Sequence, residues 1–388
     1  MSIPPKVEDL KPTDEQLTKW KKNGIISDFQ GKNLNISEKE GWKNNLVIKN
    51  CLELENFYCN NLISSRKLEG LAIENCPKLE CLDASNNNLK IVRFKEVNNL
   101  EDVYLSNNKL TKFDASNLPN VKNLDVSANQ LINLTLTKRE KLVNLNCANN
   151  RLEKITDLGD CQSLQGLYCH NNPFYLNGLE VKKLTNLKYL YCQHCYILEA
   201  DISDLEFLEH FVCYGKKFIG TVDKFRIDGL RSVKINNCKN LKVLDLGESC
   251  LEELLVSNCP TLFIVSVRQN SLKALIFLDC PKLYYVDFCR QIYPPISGVT
   301  FDKSVDEEVV KNYKFNFVHF STELLIDNSP VLGEVYYAHN TTFCNNDGEK
   351  IDKDEWKRFY PRITVLEEKS SWENVNFDRV LDRMLLAE

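Results

Sequence analysis

The strongest constraint on this chain is a repeat: eleven segments follow one pattern, L-x-x-L-x-L-x-x-N-x-L. Their starts are separated by 21, 21, 21, 22, 23, 21, 33, 21, 21 and 49 residues. The segments begin at Leu79, Leu100, Val121, Leu142, Leu164, Leu187, Leu208, Leu241, Leu262, Leu283 and Leu332. A period of this length, with apolar residues at fixed offsets, marks a solenoid in which each coil buries its apolar face against its neighbours.

The offsets within one repeat predict which side chains enter the core. Successive side chains of an extended segment point to opposite sides, so positions 4 and 6 face inward while positions 3, 5 and 7 face outward. An asparagine recurs at position 9 of five consecutive repeats, at Asn87, Asn108, Asn129, Asn150 and Asn172. A buried amide there can satisfy backbone groups of the turn, so stacked coils predict a ladder of repeated hydrogen bonds.

A second, weaker run fills the space between these segments. The run from Leu68 to Leu79 is one example, with an L-x-x-L-x-L spacing of its own. Matching runs begin at Leu110, Leu131, Leu251 and Leu272. Both halves of a coil are therefore predicted to be short extended segments, and we expect little helix in the array.

With these motifs the chain resembles the leucine-rich repeat family, close to its short class of about 21 residues per repeat. The resemblance covers roughly residues 46 to 343. It implies a mostly β solenoid, curved and right-handed, with a parallel sheet on the concave face and few helices. The family is defined by its core, so the resemblance specifies the fold and leaves the function open.

Two steps break the period. Between Leu208 and Leu241 the extra residues amount to about one half-coil, which indicates either an insertion or an exchange of faces between the two series of segments. We favour an inserted half-coil, because the segment from Leu241 resembles the earlier runs of the concave face. Between Leu283 and Leu332, residues 294 to 320 do not fit the repeat and form a second predicted insertion.

Both ends of the array need covers, because a solenoid exposes its core there. Thr13 to Gln16 is a capping box that predicts a helix over residues 14 to 23. The pattern from Phe377 to Leu385 predicts an amphipathic helix in an acidic C-terminal cap, whose charge suits a solvated surface or a docking site for a basic partner. The expected domains are a helical N-terminal cap at 1–50, the solenoid at 51–343 and a helical C-terminal cap at 344–388.

Composition limits the choice of partner and compartment. The chain has 388 residues, of which 43% are apolar and 27% charged, with a formal net charge of −5 and no run of Lys and Arg. We therefore expect no nucleic-acid partner. The first residues lack an apolar stretch, and no run approaches the length of a membrane span, so we expect neither a signal peptide nor membrane association. The expected location is cytoplasmic.

Sixteen cysteines require an explanation. Five occupy the inward position 6, at Cys59, Cys147, Cys169, Cys192 and Cys213, and five lie at a position of the ninth type, at Cys76, Cys195, Cys238, Cys259 and Cys280. A thiol there acts as a small apolar group, which predicts buried free cysteines in a reducing compartment. The alternative is a stacked metal or redox ladder through the inward cysteines, but the sequence lacks the close pairs typical of zinc sites.

No catalytic motif fits the sequence. His339, Cys344 and Asp347 are close together, yet the members of a catalytic site usually meet in the fold rather than in one segment. The stretch around them resembles a calcium loop, but aligning Gly348 at its sixth position places Phe343 where the first carboxylate must be. We expect no enzymatic activity, no metal and no cofactor.

The outward positions change character along the array. The early repeats carry small polar and acidic groups there, whereas three middle repeats carry tyrosine and histidine. We call the middle set the aromatic patch: Tyr168, His170, Tyr189, Tyr191, Gln193, His210 and Tyr214. Such side chains suit an interface anchor because they combine contact area with a polar tip. Neighbouring rings on a sheet also stabilise each other, and both interpretations stay open.

The predicted function is a non-enzymatic protein–protein interaction module, or scaffold, that binds a protein or peptide on its concave face as a monomer. The aromatic patch is the predicted binding site. Two alternatives remain at the level of the sequence. One is a regulator or inhibitor subunit of an enzyme, and the other is an enzyme whose site lies in the 294–320 insertion or in the C-terminal cap.

Overall fold

Parallel pairing between short strands, repeated from coil to coil, builds the fold. The structure is a computed structural model that describes residues 10–62, 67–174, 179–215, 217–219, 226–272, 274–283, 285–287, 323–326, 334–337, 342–344, 350–352 and 364–367. Within these residues there are 29 β-strands and one α-helix, with a short 3-10 helix at Leu158–Asp160. The described chain is therefore mostly β, as the repeat predicts.

The long sheet contains 14 strands, one from each coil, and each pairs in parallel with the next. Across the sheet the strands are β2 (Asn33–Asn35), β4 (Asn56–Tyr58), β6 (Cys81–Asp83), β8 (Asp102–Tyr104), β9 (Asn123–Asp125), β11 (Asn144–Asn146), β13 (Gly166–Tyr168), β14 (Tyr189–Tyr191), β16 (His210–Val212), β20 (Val243–Asp245), β22 (Ile264–Ser266), β24 (Tyr285–Asp287), β26 (Glu334–Tyr337) and β29 (Thr364–Glu367). Equivalent positions of successive repeats therefore lie side by side.

The other half of the coils forms shorter sheets. The first contains β1 (Ile25–Ser27), β3 (Asn45–Lys49), β5 (Gly70–Glu74) and β7 (Ile91–Lys95), and the next contains β10 (Asn133–Thr135) and β12 (Lys154–Thr156). A third contains β15 (Glu199–Asp201), β19 (Ser232–Asn236), β21 (Glu253–Ser257), β23 (Ala274–Leu278), β25 (Glu323–Ile326), β27 (Thr342–Cys344) and β28 (Lys350–Ile351). Several of these strands coincide with the weaker runs of the sequence, which confirms that both halves of a coil are extended.

Burial follows the predicted alternation. In the repeat that starts at Leu100, Val103 and Leu105 are both 0% exposed, whereas Asp102 and Tyr104 remain accessible. The same inward pair is buried in the following coils, at Leu124 and Val126, Leu145 and Cys147, and Leu167 and Cys169. The register assigned from the sequence is therefore confirmed.

The asparagines at position 9 form the predicted ladder. The Nδ2 of Asn129 donates to the backbone oxygen of Leu105 in the preceding coil at 2.9 Å and to that of Val126 in its own coil at 3.1 Å. Its Oδ1 accepts from the backbone N–H of Leu110 at 2.9 Å. The same bonds recur at Asn108, Asn150, Asn172 and Asn270. Each amide thus ties two coils together and satisfies buried backbone groups.

The 33-residue step contains an insertion, and the two series of strands do not exchange faces. β16 pairs directly with β20, so the long sheet continues without interruption. Between them, β17 (Lys217–Ile219) and β18 (Arg226–Asp228) pair antiparallel with each other, and β19 then continues a second sheet beside β15. The predicted half-coil is therefore wrong: the additional strands form a hairpin, because they pair with one another instead of with the neighbouring coils.

The predicted N-terminal helix is present as α1 (Asp14–Asn23). The side chain of Thr13 accepts from the backbone N–H of Gln16, the side chain of Gln16 accepts in return, and the helix ends at Gly24 with a φ of 71°. Trp20 is buried and its ring meets that of Phe29 edge-on at 6.0 Å. The helix therefore covers apolar surface at the first coil.

The array extends beyond the boundaries expected from the sequence. β1, β2 and β3 already pair in parallel with later strands, so coils begin before residue 50. At the other end, β29 joins the long sheet beyond residue 343. These outer strands lack the regular leucine spacing of the repeat, which is why the pattern missed them. The 294–320 insertion and the predicted C-terminal helix lie outside the described residues.

Candidate functional site

The aromatic patch lies on three adjacent strands of the long sheet. β13, β14 and β16 pair in register, so that Tyr168 lies beside Tyr191, and Tyr189 lies beside His210. These four side chains occupy outward positions and are half-buried. In-register pairing of successive repeats therefore brings together side chains that are 21 and 23 residues apart along the chain.

The rings of the patch contact one another. Tyr168 and Tyr191 are stacked, with centroids 5.2 Å apart and an interplanar angle of 15°. Tyr189 meets His210 edge-on, with centroids 5.3 Å apart and an interplanar angle of 82°. These are the separations at which aromatic pairs gain energy beyond their buried area. The patch is therefore a preformed surface whose rings hold each other in place.

A hydrogen bond fixes the centre of the patch. Tyr191 Oη lies 3.0 Å from His210 Nδ1. Burial, and then the neighbouring Tyr168 and Tyr189, raise the pKa of Tyr191 to about 12, so its hydroxyl stays protonated. Burial is also the main cause that lowers the pKa of His210. Either the Tyr191 hydroxyl or an Nδ1–H of the imidazole can donate in this bond, so its direction depends on the tautomer of His210.

Two polar side chains flank the rings at position 7. His170 Nδ1 and Gln193 Oε1 are shielded from solvent and have no hydrogen-bond partner among the described residues. Burial, and then the neighbouring His194, lower the pKa of His170. An unpaired buried polar atom costs about 1–3 kcal/mol, so this edge of the patch has unused hydrogen-bonding capacity.

The sequence pattern did not predict that His194 belongs to the site. The ring of Tyr214 meets that of His194 edge-on at 5.2 Å, and His194 occupies position 8, where successive repeats adopt a positive φ. The following repeat has Gly215 at this position, with a φ of 112°, and a Cβ there would come within 2.3 Å of His194 Nδ1. The glycine after Tyr214 was therefore the signal that a neighbouring ring occupies this space.

An acidic stretch precedes the patch on the same face. It consists of Asp83 on β6, Asp102 on β8 and Asp125 on β9, with Tyr58 and Tyr104 beside Asp83 in register. Burial is the first cause that raises the pKa of Tyr58 and Tyr104, and the neighbouring carboxylates add to it. β11 separates this stretch from the patch and carries only neutral groups at positions 3, 5 and 7.

The open part of this face ends at the patch. Val212 on β16 is 7% exposed, Val243 on β20 is 6% exposed and Ile264 on β22 is 3% exposed, although the alternation points all three away from the core. In the earlier strands the same outward positions are at least partly accessible, apart from Gly166. The accessible surface therefore runs from the first strands of the long sheet to the aromatic patch.

The fold is similar to solved structures of leucine-rich repeat proteins. No family model and no curated protein matches the chain by sequence. Among solved structures, the functional domain of InlJ from Listeria monocytogenes superposes with a TM-score of 0.51 at 19% identity, over 76% of this chain and 60% of that domain. A leucine-rich repeat protein from Leptospira interrogans superposes with a TM-score of 0.50 at 15% identity, over 92% of this chain and 100% of that protein.

This chain has the leucine-rich repeat fold. Its parallel long sheet is what the resemblance implied, and its turns of about 21 residues and its asparagine ladder are what the repeat itself predicted. The leucine-rich repeats thus supply a rigid sheet whose inward positions form the core and whose outward positions are free to carry a site.

The leucine-rich repeat core contains the cysteines. The fourteen cysteines whose side chains the structure describes are free, and all but the half-buried Cys81 are buried. Burial raises the pKa of the inward thiols of Cys59, Cys147, Cys169 and Cys192, and at Cys169 the pKa lies well above the ordinary value. In the described part of the chain, no cluster of His, Cys, Asp and Glu side chains could hold a metal ion. No described helix has the length and apolar character needed to cross a bilayer.

Proposed function

We propose that this leucine-rich repeat protein is an interaction module that binds a protein or peptide through the aromatic patch. The observation that carries the proposal is the contiguous set of half-buried rings on β13, β14 and β16, at outward positions that the fold leaves open. Tyrosine and histidine lose little side-chain entropy on binding and offer both apolar faces and polar tips.

The contacts within the patch support this use rather than opposing it. Rings that stack on each other, as Tyr168 and Tyr191 do, are already ordered before a partner arrives. Preorganised side chains bind with a smaller entropic cost. The unpaired polar atoms of His170 and Gln193 add hydrogen-bonding capacity that a partner could use after a small side-chain rearrangement.

The test is affinity capture with the whole chain, quantified by mass spectrometry. A Tyr189→Ala/Tyr191→Ala variant removes the centre of the patch. The control is Leu255→Ala, whose side chain is 49% exposed on β21 of a shorter sheet. We expect one partner to be retained by the unmodified chain and by the control, and to be lost from the patch variant. Equal retention by all three chains would contradict the proposal.

We also propose a cytoplasmic location, which the free buried thiols support. Detection of the protein outside the cytoplasm with disulfide-linked cysteines would contradict it. The alternatives are an enzyme regulator, or an enzyme with its site in residues 294–320 or in the C-terminal cap. Residues 294–320 lie outside the described residues, the cap is described only at residue 344 and in segments such as β28 and β29, and no described feature favours these roles over binding at the patch.

A further inference from the structure

The outward face of the long sheet has a one-sided charge distribution. From β2 to β20, positions 3, 5 and 7 contain no Lys or Arg. The three carboxylates of the acidic stretch, Asp83, Asp102 and Asp125, lie together on β6, β8 and β9 and are partly accessible. The pairing lysines of the long sheet, such as Lys122 with Glu101, lie at position 2, just outside this face. The accessible carboxylates of this face therefore lie at one end and the aromatic rings at the other, while Asp245 on β20, beyond the patch, is buried at 4% exposure.

The fold uses the carboxylates at position 5 as hydrogen-bond acceptors, and Asp83 also accepts from Ser85 Oγ at 2.7 Å and, through Oδ2, from Asn60 Nδ2 at 2.9 Å. The Oδ1 of Asp83 accepts from the N–H of Ser85 at 2.9 Å, and the Oδ1 of Asp125 accepts from the N–H of Ser127 at 2.9 Å. Asn35 on β2 makes the same bond to the N–H of Ser37 at 2.8 Å. An amide oxygen therefore supports this turn, and the structural role leaves the negative charge unexplained.

The third carboxylate, Asp102 at position 3, also serves as an acceptor where another coil uses an amide. The Oδ1 of Asp102 accepts from Asn123 Nδ2 at 2.6 Å. One coil further on, Asn123 itself accepts from Asn144 Nδ2 at 2.7 Å, so an amide fills the acceptor position equally well. All three aspartates thus stand where this chain elsewhere places asparagine. Their charge is available for a partner.

We propose that the partner contributes an extended polypeptide segment with Lys or Arg side chains on the acidic stretch and an aromatic or large apolar side chain on the aromatic patch. This inference rests on the proposed function and names the chemistry of its partner. Complementary charge selects the partner and guides its approach, while the rings supply the buried contact. The tyrosines beside Asp83 add faces on which a cation can lie.

The strand spacing predicts the spacing within the segment. Asp102 and Tyr189 occupy the same position on β8 and β14, four strands apart in the sheet. Strands about 4.8 Å apart make this about 19 Å, which an extended chain covers in about six residues. The small side chains of β11 leave the path open. The buried outward positions that follow, from Val212 onward, end it at the patch.

Selection from a display library of random peptides of about 16 residues, long enough to cover this distance, tests the inference on the whole chain. We expect enriched peptides to carry Lys or Arg at one end and an aromatic or large apolar residue about six positions away. Enriched peptides that are acidic or lack basic residues would overturn it. A library without any enriched sequence would overturn both the inference and the proposed function.

Charge-neutralising variants distinguish docking of a basic segment on the acidic stretch from binding at the aromatic patch alone. Asp83→Asn/Asp102→Asn/Asp125→Asn removes three charges and keeps the oxygens that accept from Ser85, Asn123 and Ser127, although the bond from Asn60 Nδ2 to Asp83 Oδ2 is lost. The control, Glu74→Gln/Glu153→Gln/Glu253→Gln, removes three exposed charges in or beside the shorter sheets. We expect the first variant to bind the enriched peptide about tenfold more weakly, the sum of three exposed ion pairs, and the second to bind normally. Added salt should lower the affinity of the unmodified chain for the peptide more than it lowers the affinity of the aspartate variant.

The outcomes distinguish the two levels of the proposal. If the peptide loses affinity for the Tyr189→Ala/Tyr191→Ala variant but binds the aspartate variant normally, the patch is the site and the basic segment is wrong. If both variants bind normally, the proposed function also fails. Alkylation of Cys81, an outward residue between these carboxylates, gives an independent readout. The bound peptide should slow this reaction, and an unchanged rate would contradict docking on the acidic stretch.

Discussion

The acidic stretch and the aromatic patch are two regions built on one scaffold. The asparagine ladder runs beneath both, from Asn108 to Asn172, and the inward positions are equally buried in both. Their outward side chains nevertheless differ in charge, ring content and mutual contact. The difference shows that this fold sets its stability at the inward positions and at position 9, while the outward positions can be specialised coil by coil.

The largest effect should come from the shared scaffold. We expect Asn129→Ala, under the acidic stretch, and Asn172→Ala, under the patch, each to cost about 3 kcal/mol in urea unfolding, because both leave buried backbone groups unpaired. The control, Asn123→Ala at an outward position, should cost less than about 1 kcal/mol. If Asn172→Ala and Asn129→Ala lowered the unfolding free energy by very different amounts, the two regions would not share one scaffold.

The rings should separate the two regions. Tyr191→Ala removes a stacked ring and the bond to His210, so we expect a loss of about 1–2 kcal/mol in urea unfolding. Tyr104 is 37% exposed on the acidic stretch, and Tyr104→Ala should cost within about 0.5 kcal/mol. Tyr191→Phe keeps the stack and isolates the hydroxyl. Equal losses at both alanine variants would show that the patch is no more ordered than the acidic stretch.

Acid should destabilise the patch region specifically. Burial lowers the pKa of His170 and His210 in the folded chain, while His194, Lys242 and Glu209 are the charged neighbours that act on them. Unfolding returns each pKa to about 6.5, so the unfolded chain binds more protons below that pH. Stability should be complete above about pH 6.5 and fall as the pH drops toward the folded pKa. In a His170→Gln/His210→Gln variant, the unfolding free energy should no longer fall with pH in this range. An unchanged fall would mean that other groups cause the pH dependence.

The smallest change concerns a single thiol. Cys81 is the only half-buried cysteine among those described, and it lies at an outward position on β6. Among the fourteen cysteines whose side chains are described, we expect mass spectrometry to find it alkylated first in the native chain, although burial raises its pKa and slows the reaction. Denaturant should then release the others. Faster labelling of Cys147 or Cys169 would contradict their place in the core.

Much of this fold follows from local pattern. The spacing of the leucines gave the register of Leu105, the repeated asparagines gave the ladder, and the capping box at Thr13 gave the first helix. The patch residues on β13, β14 and β16 could be predicted because the shared pattern aligns equivalent positions even where the repeats differ by two residues in length. In each case the information lies within one repeat or in the shared pattern of two.

The rest depends on contacts that no repeat encodes. The hairpin of β17 and β18 forms between two strands of a single insertion, so its pairing has no counterpart in the period. The burial of Val243 and Ile264 on the outward face requires knowledge of the folded chain. The equivalence of aspartate and asparagine at position 5 lies in the hydrogen bonds of the folded chain, where Asn35 and Asp83 each accept from the N–H two residues further on.

The most direct test of the patch as a binding surface compares stability with affinity for the captured partner. Tyr191→Ala and Ile36→Val, a core variant of similar expected cost, are measured for melting temperature and for Kd. We expect both to melt at a lower temperature, but only Tyr191→Ala to raise the Kd, by about 30-fold, which corresponds to about 2 kcal/mol. A lower melting temperature with an unchanged Kd would mean that the rings serve only as a cross-strand ladder.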